Sequence, residues 1–117
     1  MGRKRLEKTF CWKISGELKL FKFQILKMKK KDIFQAAYRI DTVICIHELL
    51  KEMSVCMSAE ALEAGITFPG ILTFLYERWL AYKDTRMEDI QYCLKEEMVK
   101  ILEDYGEKKA KEKGSAA

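Results

Sequence analysis

The feature that most restricts the fold of this chain is the spacing of apolar residues through residues 32–105. Apolar side chains recur there at intervals of three and four rather than two, which is typical of helices that bury one face. The buried stripes are predicted to include Ile40, Ile44, Leu50, Leu75, Trp79, Ile90 and Leu94. Only one proline, Pro69, interrupts the 117 residues. We therefore predict an all-α fold, a small bundle of about four or five helices.

Local signals predict where the middle helices begin and end. The stretch 54–57 separates two apolar stripes, and Ser58 after it is suited to an N-cap position, with Glu60 complementing the helix dipole. Gly65 is then expected to end this short helix in a left-handed conformation. Pro69 suits the first position of the next helix, because its missing N–H costs nothing there.

Two further boundaries stay open in the sequence. Asp41 and Thr42 either cap a new helix or lie on the solvent face of a continuous one. The segment 85–88 has the form of a capping box, yet the apolar stripe nearly continues across it. We expect a long helix that kinks or breaks near residues 83–85.

The first 31 residues fit two structures. Alternation of apolar and polar residues over 10–14, followed by Ser15 and Gly16, is typical of a short hairpin. Apolar residues at helical spacing over 18–28 instead predict a helix over residues 17–28, preceded by an extended arm. We prefer the helix with an extended arm.

The other end of the chain has a different composition. Residues 106–117 are polar and lack apolar periodicity, so a frayed or disordered tail is expected. Residues 1–105 then form a single helical domain, of which 1–31 is a basic N-terminal segment. At this length, folding buries roughly two-thirds of the unfolded surface, enough for one core.

Charge is divided unevenly along the chain. Residues 1–31 contain eleven Lys or Arg and two acids, a net charge of +9, whereas the remainder carries a net −5. The basic segment is expected to lie on the acidic face of its own body or of a second copy, or to contact an anionic partner. A homo-oligomer, a partner protein and a nucleic acid are therefore all considered as partners.

Basic residues in this segment alternate with the aromatic residues Phe10, Trp12, Phe21 and Phe23. Such a pattern suits phosphate contacts and base stacking, although aromatic residues more often pack in a core. The candidate contacts for a nucleic acid or an acidic partner are Arg3, Lys4, Arg5, Lys8, Trp12, Lys13, Lys19 and Lys22.

Catalytic, cofactor and metal sites are not predicted. Cys45 and His47 are two residues apart, so on a helix they point about 200° apart and cannot bind one metal ion together with Cys56. His47 is interpreted as a hydrogen-bonded core or boundary residue. The glycines are scattered, so a phosphate-binding loop is not indicated.

The four cysteines lack the close spacing of zinc sites and are interpreted as reduced, small apolar residues. The N-terminus has no hydrophobic export signal, and no apolar run is long enough to span a membrane. These observations predict a cytoplasmic protein without membrane association.

Two segments resemble a known family in their order and spacing. They are LKMKKKDIFQAAY (residues 26–38) and ILTFLYERW (71–79), the latter running on to MEDI (87–90). The resemblance is to domain-of-unknown-function family 3848, small proteins encoded on bacterial conjugative elements and prophages, over residues 23–101. Residues 1–22 depart from that family's shorter, less basic start.

The resemblance implies a bacterial origin, a helical fold and an accessory role, such as handling a host or defence protein. It implies no active residues. The predicted function is therefore non-enzymatic protein binding, and the alternative is nucleic-acid binding through the basic N-terminal segment.

Overall fold

The computed structural model describes residues 2–82 and 87–115, and these residues form six α-helices and one short 3₁₀ helix, with no strand among them. The helices are α1 (Arg3–Leu26), α2 (Lys30–Gln35), α3 (Ala37–Ser54), α4 (Ala59–Thr67), α5 (Ile71–Ala81) and α6 (Ile90–Ser115), with the 3₁₀ helix Met87–Asp89 before α6. The predicted all-α fold is confirmed.

The two longest helices, α1 and α6, pack on the same three shorter ones. Each contacts α3, α4 and α5, so the core lies between the long helices and these three. The molecule measures 56 × 31 × 27 Å. None of the described helices combines the length and the apolar content that crossing a bilayer requires.

Most of the predicted core is buried. The buried members are Leu50, Leu75, Trp79, Ile90 and Leu94. Ile40 and Ile44 are only half-buried, because α3 turns Val43, Ile46 and Leu50 towards the core. Within α3, the predicted burial is therefore confirmed for Leu50 and only partial for Ile40 and Ile44.

The N-terminal segment differs most from its prediction. A single helix, α1, begins at Arg3, so both the extended arm and the hairpin were wrong. The physical reason is a stripe at four-residue spacing, which buries Leu6, Phe10, Ile14 and Leu18. Ion pairs at the same spacing, Arg3 to Glu7 and Lys13 to Glu17, support the helix further.

Asp41 and Thr42 do not cap a new helix, and they do not both lie on the solvent face of α3. Both lie inside α3, where Asp41 is exposed but Thr42 is fully buried. The Thr42 hydroxyl has no hydrogen-bond partner within the described part of the chain.

Helix α4 begins as predicted and ends elsewhere. The Ser58 side chain accepts a hydrogen bond of 3.1 Å from the backbone N–H of Ala61, which confirms the N-cap. Gly65, however, lies within α4 rather than at its end. Its position is explained by Phe10, whose ring Cε2 lies 2.5 Å from the point that a Cβ on Gly65 would occupy. Glycine therefore allows α1 and α4 to approach each other closely.

Pro69 precedes α5 instead of opening it. Helix α5 begins at Ile71 with Gly70 as N-cap, and Gly70 adopts a left-handed conformation at φ 62°. Pro69 and Gly70 thus form the turn between α4 and α5, since proline pre-sets its own φ and glycine tolerates a positive φ.

The joint between α5 and α6 is partly visible. Helix α5 ends at Ala81, and Tyr82 after it is extended. The predicted break at 83–85, and the beginning of the predicted capping box, lie outside the described residues. The chain then continues in the 3₁₀ helix and α6, so two helices occupy this region.

Helix α6 also extends further than its apolar stripe predicts. It continues through Gly106 to Ser115, where the sequence indicates a polar tail after residue 105. Opposite charges four residues apart support these turns, as in Glu107 and Lys111. Lys109 also binds Glu63 of α4 at 3.2 Å.

Candidate interaction surface on the first helix

Burial of one stripe of α1 leaves the other side of this helix to solvent. We call this side the outer face of α1. It comprises the exposed residues Lys4, Arg5, Lys8, Trp12, Gly16, Lys19, Leu20, Lys22, Phe23 and Leu26. From Arg5 to Leu26 it extends about 32 Å at 1.5 Å per residue.

Four large apolar side chains on the outer face are exposed to solvent. The exposed fractions are 77% for Trp12, 64% for Leu20, 57% for Phe23 and 79% for Leu26. Single exposed apolar residues are ordinary on protein surfaces, but four on one face of a helix form a candidate interaction site.

The charged residues of the outer face are all cations. Lys4, Arg5, Lys8, Lys19 and Lys22 have no ion-pair partner among the residues that the structure describes. The two acids of α1 do not lie on this face, since Glu7 binds Arg3 at 3.0 Å and Glu17 binds Lys13. Just beyond α1, the Lys27 ammonium lies 4.5 Å from the centre of the Phe23 ring. The outer face therefore attracts anionic groups.

Arg3, a predicted contact residue, has a structural role instead. Its guanidinium donates hydrogen bonds to the carbonyl oxygens of Ser54, Val55 and Met57, the first at 3.2 Å and the last at 3.0 Å. These carbonyls lie at and just after the C-terminal end of α3, where backbone acceptors lack helical partners. Arg3 thus caps α3 and joins it to α1.

Lys13, another predicted contact residue, is half-buried and also binds within the molecule. Its ammonium donates hydrogen bonds to Glu17 and, at 2.6 Å, to the carbonyl oxygen of Phe68 in the turn before α5. The structure thus separates the eight predicted residues into two groups. Arg3 and Lys13 bind backbone carbonyls, whereas Lys4, Arg5, Lys8, Trp12, Lys19 and Lys22 remain exposed together.

The eight predicted contacts omit four members of the outer face, which are Gly16, Leu20, Phe23 and Leu26. The interpretation of residues 15–16 as a turn concealed the face, because it divided α1 into two parts. Only a continuous helical projection from Leu6 to Ile25 would have placed these residues opposite the buried stripe.

His47 is buried and hydrogen-bonded, as predicted. Its Nε2 lies 3.1 Å from the Ser15 hydroxyl, and its Nδ1 lies 3.1 Å from a carboxylate oxygen of Glu48. These bonds hold the ring between α1 and α3. His47 therefore joins two helices in the core.

Burial disfavours the reactive thiolate form of two of the cysteines, Cys45 and Cys93. Burial raises the pKa of the Cys45 thiol, and the charge of Glu52 raises it further. Burial likewise raises the pKa of Cys93, although a hydrogen bond with Tyr82 acts in the opposite direction. Both shifts favour the thiol over the reactive thiolate. Cys56 is exposed, which differs from its predicted apolar surroundings.

A metal site in a protein typically brings together at least about three side chains from His, Cys, Asp and Glu. The parts of the chain that the structure describes, 2–82 and 87–115, contain no such group. Cys45 and His47 lie on α3 and Cys56 lies beyond its end.

Glu97 forms a second polar cluster, which the sequence did not indicate. This carboxylate is buried, although a pair of adjacent acids such as Glu96 and Glu97 is typical of a solvated surface. Arg78 and Lys100 each lie 3.3 Å from it, and the Tyr82 hydroxyl donates a hydrogen bond to it at 3.2 Å. Lys100 pairs here with Glu97, three residues before it in α6. Burial and the neighbouring carboxylates raise the pKa of Tyr82. The cluster joins α5 to α6.

A groove of about 760 Å³ lies between the α4–α5 turn and the end of α6. Its apolar lining includes Phe68, Pro69 and Ile101. Its α6 wall carries acids and bases in equal number, namely Asp104, Glu107, Lys108, Lys109, Lys111 and Glu112. This groove therefore has no charge preference comparable to that of the outer face of α1.

Comparisons of this chain with family models, with curated proteins and with solved structures gave no match. The resemblance of residues 26–38 and 71–90 to a family of mobile elements therefore stays a prediction. The candidate site rests on the burial, hydrogen bonding and charge of α1.

Proposed function

We propose that this chain is a non-enzymatic binding protein that docks an acidic partner protein on the outer face of α1. One observation carries the proposal: four large apolar side chains are exposed on one face of α1, and the opposite face of this helix is buried in the core. Five cations surround them and have no ion-pair partner among the described residues. Protein interfaces combine an apolar, aromatic centre with a polar rim. The outer face of α1 has that composition before any partner is bound.

The inner side of α1 supports this proposal, because it fixes the orientation of the outer face. Phe10, Ile14 and Leu18 anchor the helix in the core, while Arg3 and Lys13 bind carbonyls of other elements. A partner therefore meets a preformed surface, which lowers the entropy lost on binding.

Nucleic-acid binding is the alternative, and the positions of the aromatic residues disfavour it. Of the four aromatic residues in the basic segment, Phe10 is fully buried and Phe21 half-buried. The two exposed rings, Trp12 and Phe23, are eleven residues apart, about 16 Å along the helix. Stacking platforms for single strands place aromatic rings at successive bases. Leu20 and Leu26 have no role in stacking but are suited to a protein interface.

The family resemblance extends the proposal to a biological setting. Within it, the chain is an accessory protein of a bacterial mobile element or phage, and its partner is a host or defence protein in the cytoplasm. The net charge of +9 in residues 1–31 suits an acidic partner and not the mimicry of DNA.

A capture experiment tests the proposal. The intact protein and the variant Trp12→Ala/Leu26→Ala are immobilised and exposed to nuclease-treated bacterial extract, and retained proteins are quantified by mass spectrometry. The matched control is Leu80→Ala/Tyr92→Ala, which removes exposed apolar side chains from α5 and α6. We expect an acidic protein that the control retains and the α1 variant loses.

A salt titration with mixed-sequence oligonucleotides tests the alternative. Phosphate contacts through exposed lysines impose a steep dependence on ionic strength. We expect only weak binding at about 0.15 M salt, and we expect Trp12→Ala to leave that binding unchanged. Tight binding at that salt concentration that Trp12→Ala abolishes would replace the protein partner with a nucleic acid.

A further inference from the structure

Gly16 lies near the middle of α1, on its outer face, and no contact with the described residues accounts for it. After proline, glycine is the least favourable residue in a helix interior. A Cβ at Gly16 would meet no atom of the described residues within 4 Å, so the fold would accept a larger residue there.

Gly65 provides the contrast within the same chain. There a Cβ would lie 2.5 Å from the Phe10 ring, so close packing between α1 and α4 requires glycine. Both glycines are helical, but only Gly65 has an internal neighbour that excludes a side chain. The space above Gly16 opens to solvent.

The exposed apolar residues of α1 surround this space. Trp12 lies one turn before Gly16, Leu20 lies one turn after it, and Phe23 lies seven residues beyond on the same side. The missing side chain thus leaves a notch between the Trp12 indole and the two apolar side chains that follow. A notch between large side chains on a helix receives a side chain of a crossing helix.

We infer that Gly16 is the point at which an acidic α-helix of the partner crosses α1, with Trp12 and Phe23 on either side of the crossing. The inference rests on the proposed function and specifies its partner. Glycine lets the two backbones approach closely, since helix separation depends on the side chains at the contact. Arg5 and Lys8 before the notch, and Lys19 and Lys22 after it, then face acids of the partner helix.

A second copy of this chain is a poor occupant of the same face. If two α1 helices crossed antiparallel at Gly16, Arg5 of one would lie near Lys27 of the other. A parallel crossing would place Lys8 and Lys19 opposite their own copies. The outer face has no acid to compensate these repulsions.

The test uses the intact protein and a synthetic amphipathic peptide of about four heptads, with Leu and Ala at its apolar positions and Glu on both flanks. A second peptide carries Gln in place of each Glu. Mixed-sequence oligonucleotides and vesicles containing anionic lipid serve as competing probes. Calorimetry measures each affinity at about 0.15 M salt.

Gly16→Ala is the decisive variant, because it adds one methyl group at the notch and favours the helix. Gly106→Ala is its matched control, since Gly106 is also exposed within a helix and has open space around its Cβ position. We expect Gly16→Ala to weaken binding of the acidic peptide about tenfold while Gly106→Ala changes it less than about twofold. The Gln peptide should also bind at least about tenfold more weakly.

Three results would overturn the inference. If Trp12→Ala abolishes peptide binding but Gly16→Ala does not weaken it, the crossing point is wrong and the proposed function stands. If the acidic peptide does not bind, and the oligonucleotide or the vesicle binds through Trp12, both the crossing point and the proposed function are wrong. Dimerisation of the protein alone that Gly16→Ala abolishes would identify a second copy as the occupant.

Discussion

The carboxylate of Glu17 in α1 accepts a hydrogen bond of 3.0 Å from the backbone N–H of Leu72, in the first turn of α5. The N-cap residue of α5, Gly70, has no side chain that could accept this bond. Glu17, which lies 55 positions before Leu72, therefore supplies the acceptor. Its negative charge suits the positive end of the helix dipole. The same carboxylate pairs with Lys13, so α1 is joined to α5 at a defined orientation.

Glu17→Ala should therefore destabilise a helix that is distant in sequence. Loss of an N-capping acceptor costs about 0.5–2 kcal/mol of unfolding free energy. Urea denaturation followed by circular dichroism measures this change. Glu7→Ala is the control, since Glu7 pairs only with Arg3 in its own helix among the described contacts. An equal effect of the two substitutions would argue against the cap on α5.

Truncating a side chain should cost much more stability on the inner face of α1 than on its outer face. Phe10→Ala removes a fully buried ring and should cost about 3–5 kcal/mol. Trp12→Ala removes an exposed side chain and should change stability by less than about 0.5 kcal/mol. Deletion of residues 1–22 should therefore unfold or aggregate the protein, since it removes the buried stripe of α1. A stable deletion fragment would show that α1 is not part of the core.

Much of the fold follows from the sequence, and α1 shows where that approach reaches its limit. Residues 32–105 have helical periodicity, so the helices and most of their buried residues were predictable. In residues 10–14, Trp12 and Cys11 disturb the four-residue stripe, and Ser15 with Gly16 looks like a turn. Only packing against α3, α4 and α5 makes a continuous helix the favourable structure there.

The candidate site was predictable in part for a related reason. Clustered charge and Trp12 identified most of the outer face of α1 in advance. Arg3 and Lys13 were wrongly included, because their partners are backbone carbonyls of Ser54, Val55, Met57 and Phe68. Backbone acceptors have no sequence signature, so the sequence could not separate these two cations from the exposed ones.

Glycine substitutions should change stability in opposite directions at different positions. Gly65→Ala places a methyl group against the Phe10 ring and should cost about 1–3 kcal/mol. Gly16→Ala and Gly106→Ala meet open space within helices and should each stabilise the protein by about 0.5–1 kcal/mol. Thermal unfolding measures all three variants. Stabilisation by Gly65→Ala would mean that α1 and α4 pack less closely than described.

The contacts of Glu63 in α4 with Lys109 and Tyr105 in α6 should make the stability of the protein depend on pH in the acid range. Hydrogen bonds from Lys109 and Tyr105, with the Lys109 charge, hold the pKa of Glu63 below its ordinary value of 4.5. A depressed pKa means that this contribution is present above pH 4.5 and is lost as the pH falls through the lower, folded value. Glu63 is at the surface, so the effect is small.

Thermal unfolding between pH 6 and pH 3 measures this dependence. Glu63→Gln should lower the melting temperature at pH 6 and reduce the further loss towards pH 3. Glu77→Gln, at an exposed position in the middle of α5, should leave both features unchanged. Identical pH profiles for the wild-type protein and Glu63→Gln would contradict the described link.

The most direct test of the central claim is photo-crosslinking from the outer face of α1. A photoreactive phenylalanine analogue replaces Trp12 in the intact protein, and a second protein carries it in place of Tyr92, an exposed residue of α6. After irradiation in bacterial extract, we predict that position 12 forms a protease-sensitive, nuclease-resistant adduct with an acidic protein, which position 92 does not form. A nuclease-sensitive adduct at position 12, or identical adducts at the two positions, would contradict the proposed docking of an acidic protein on α1.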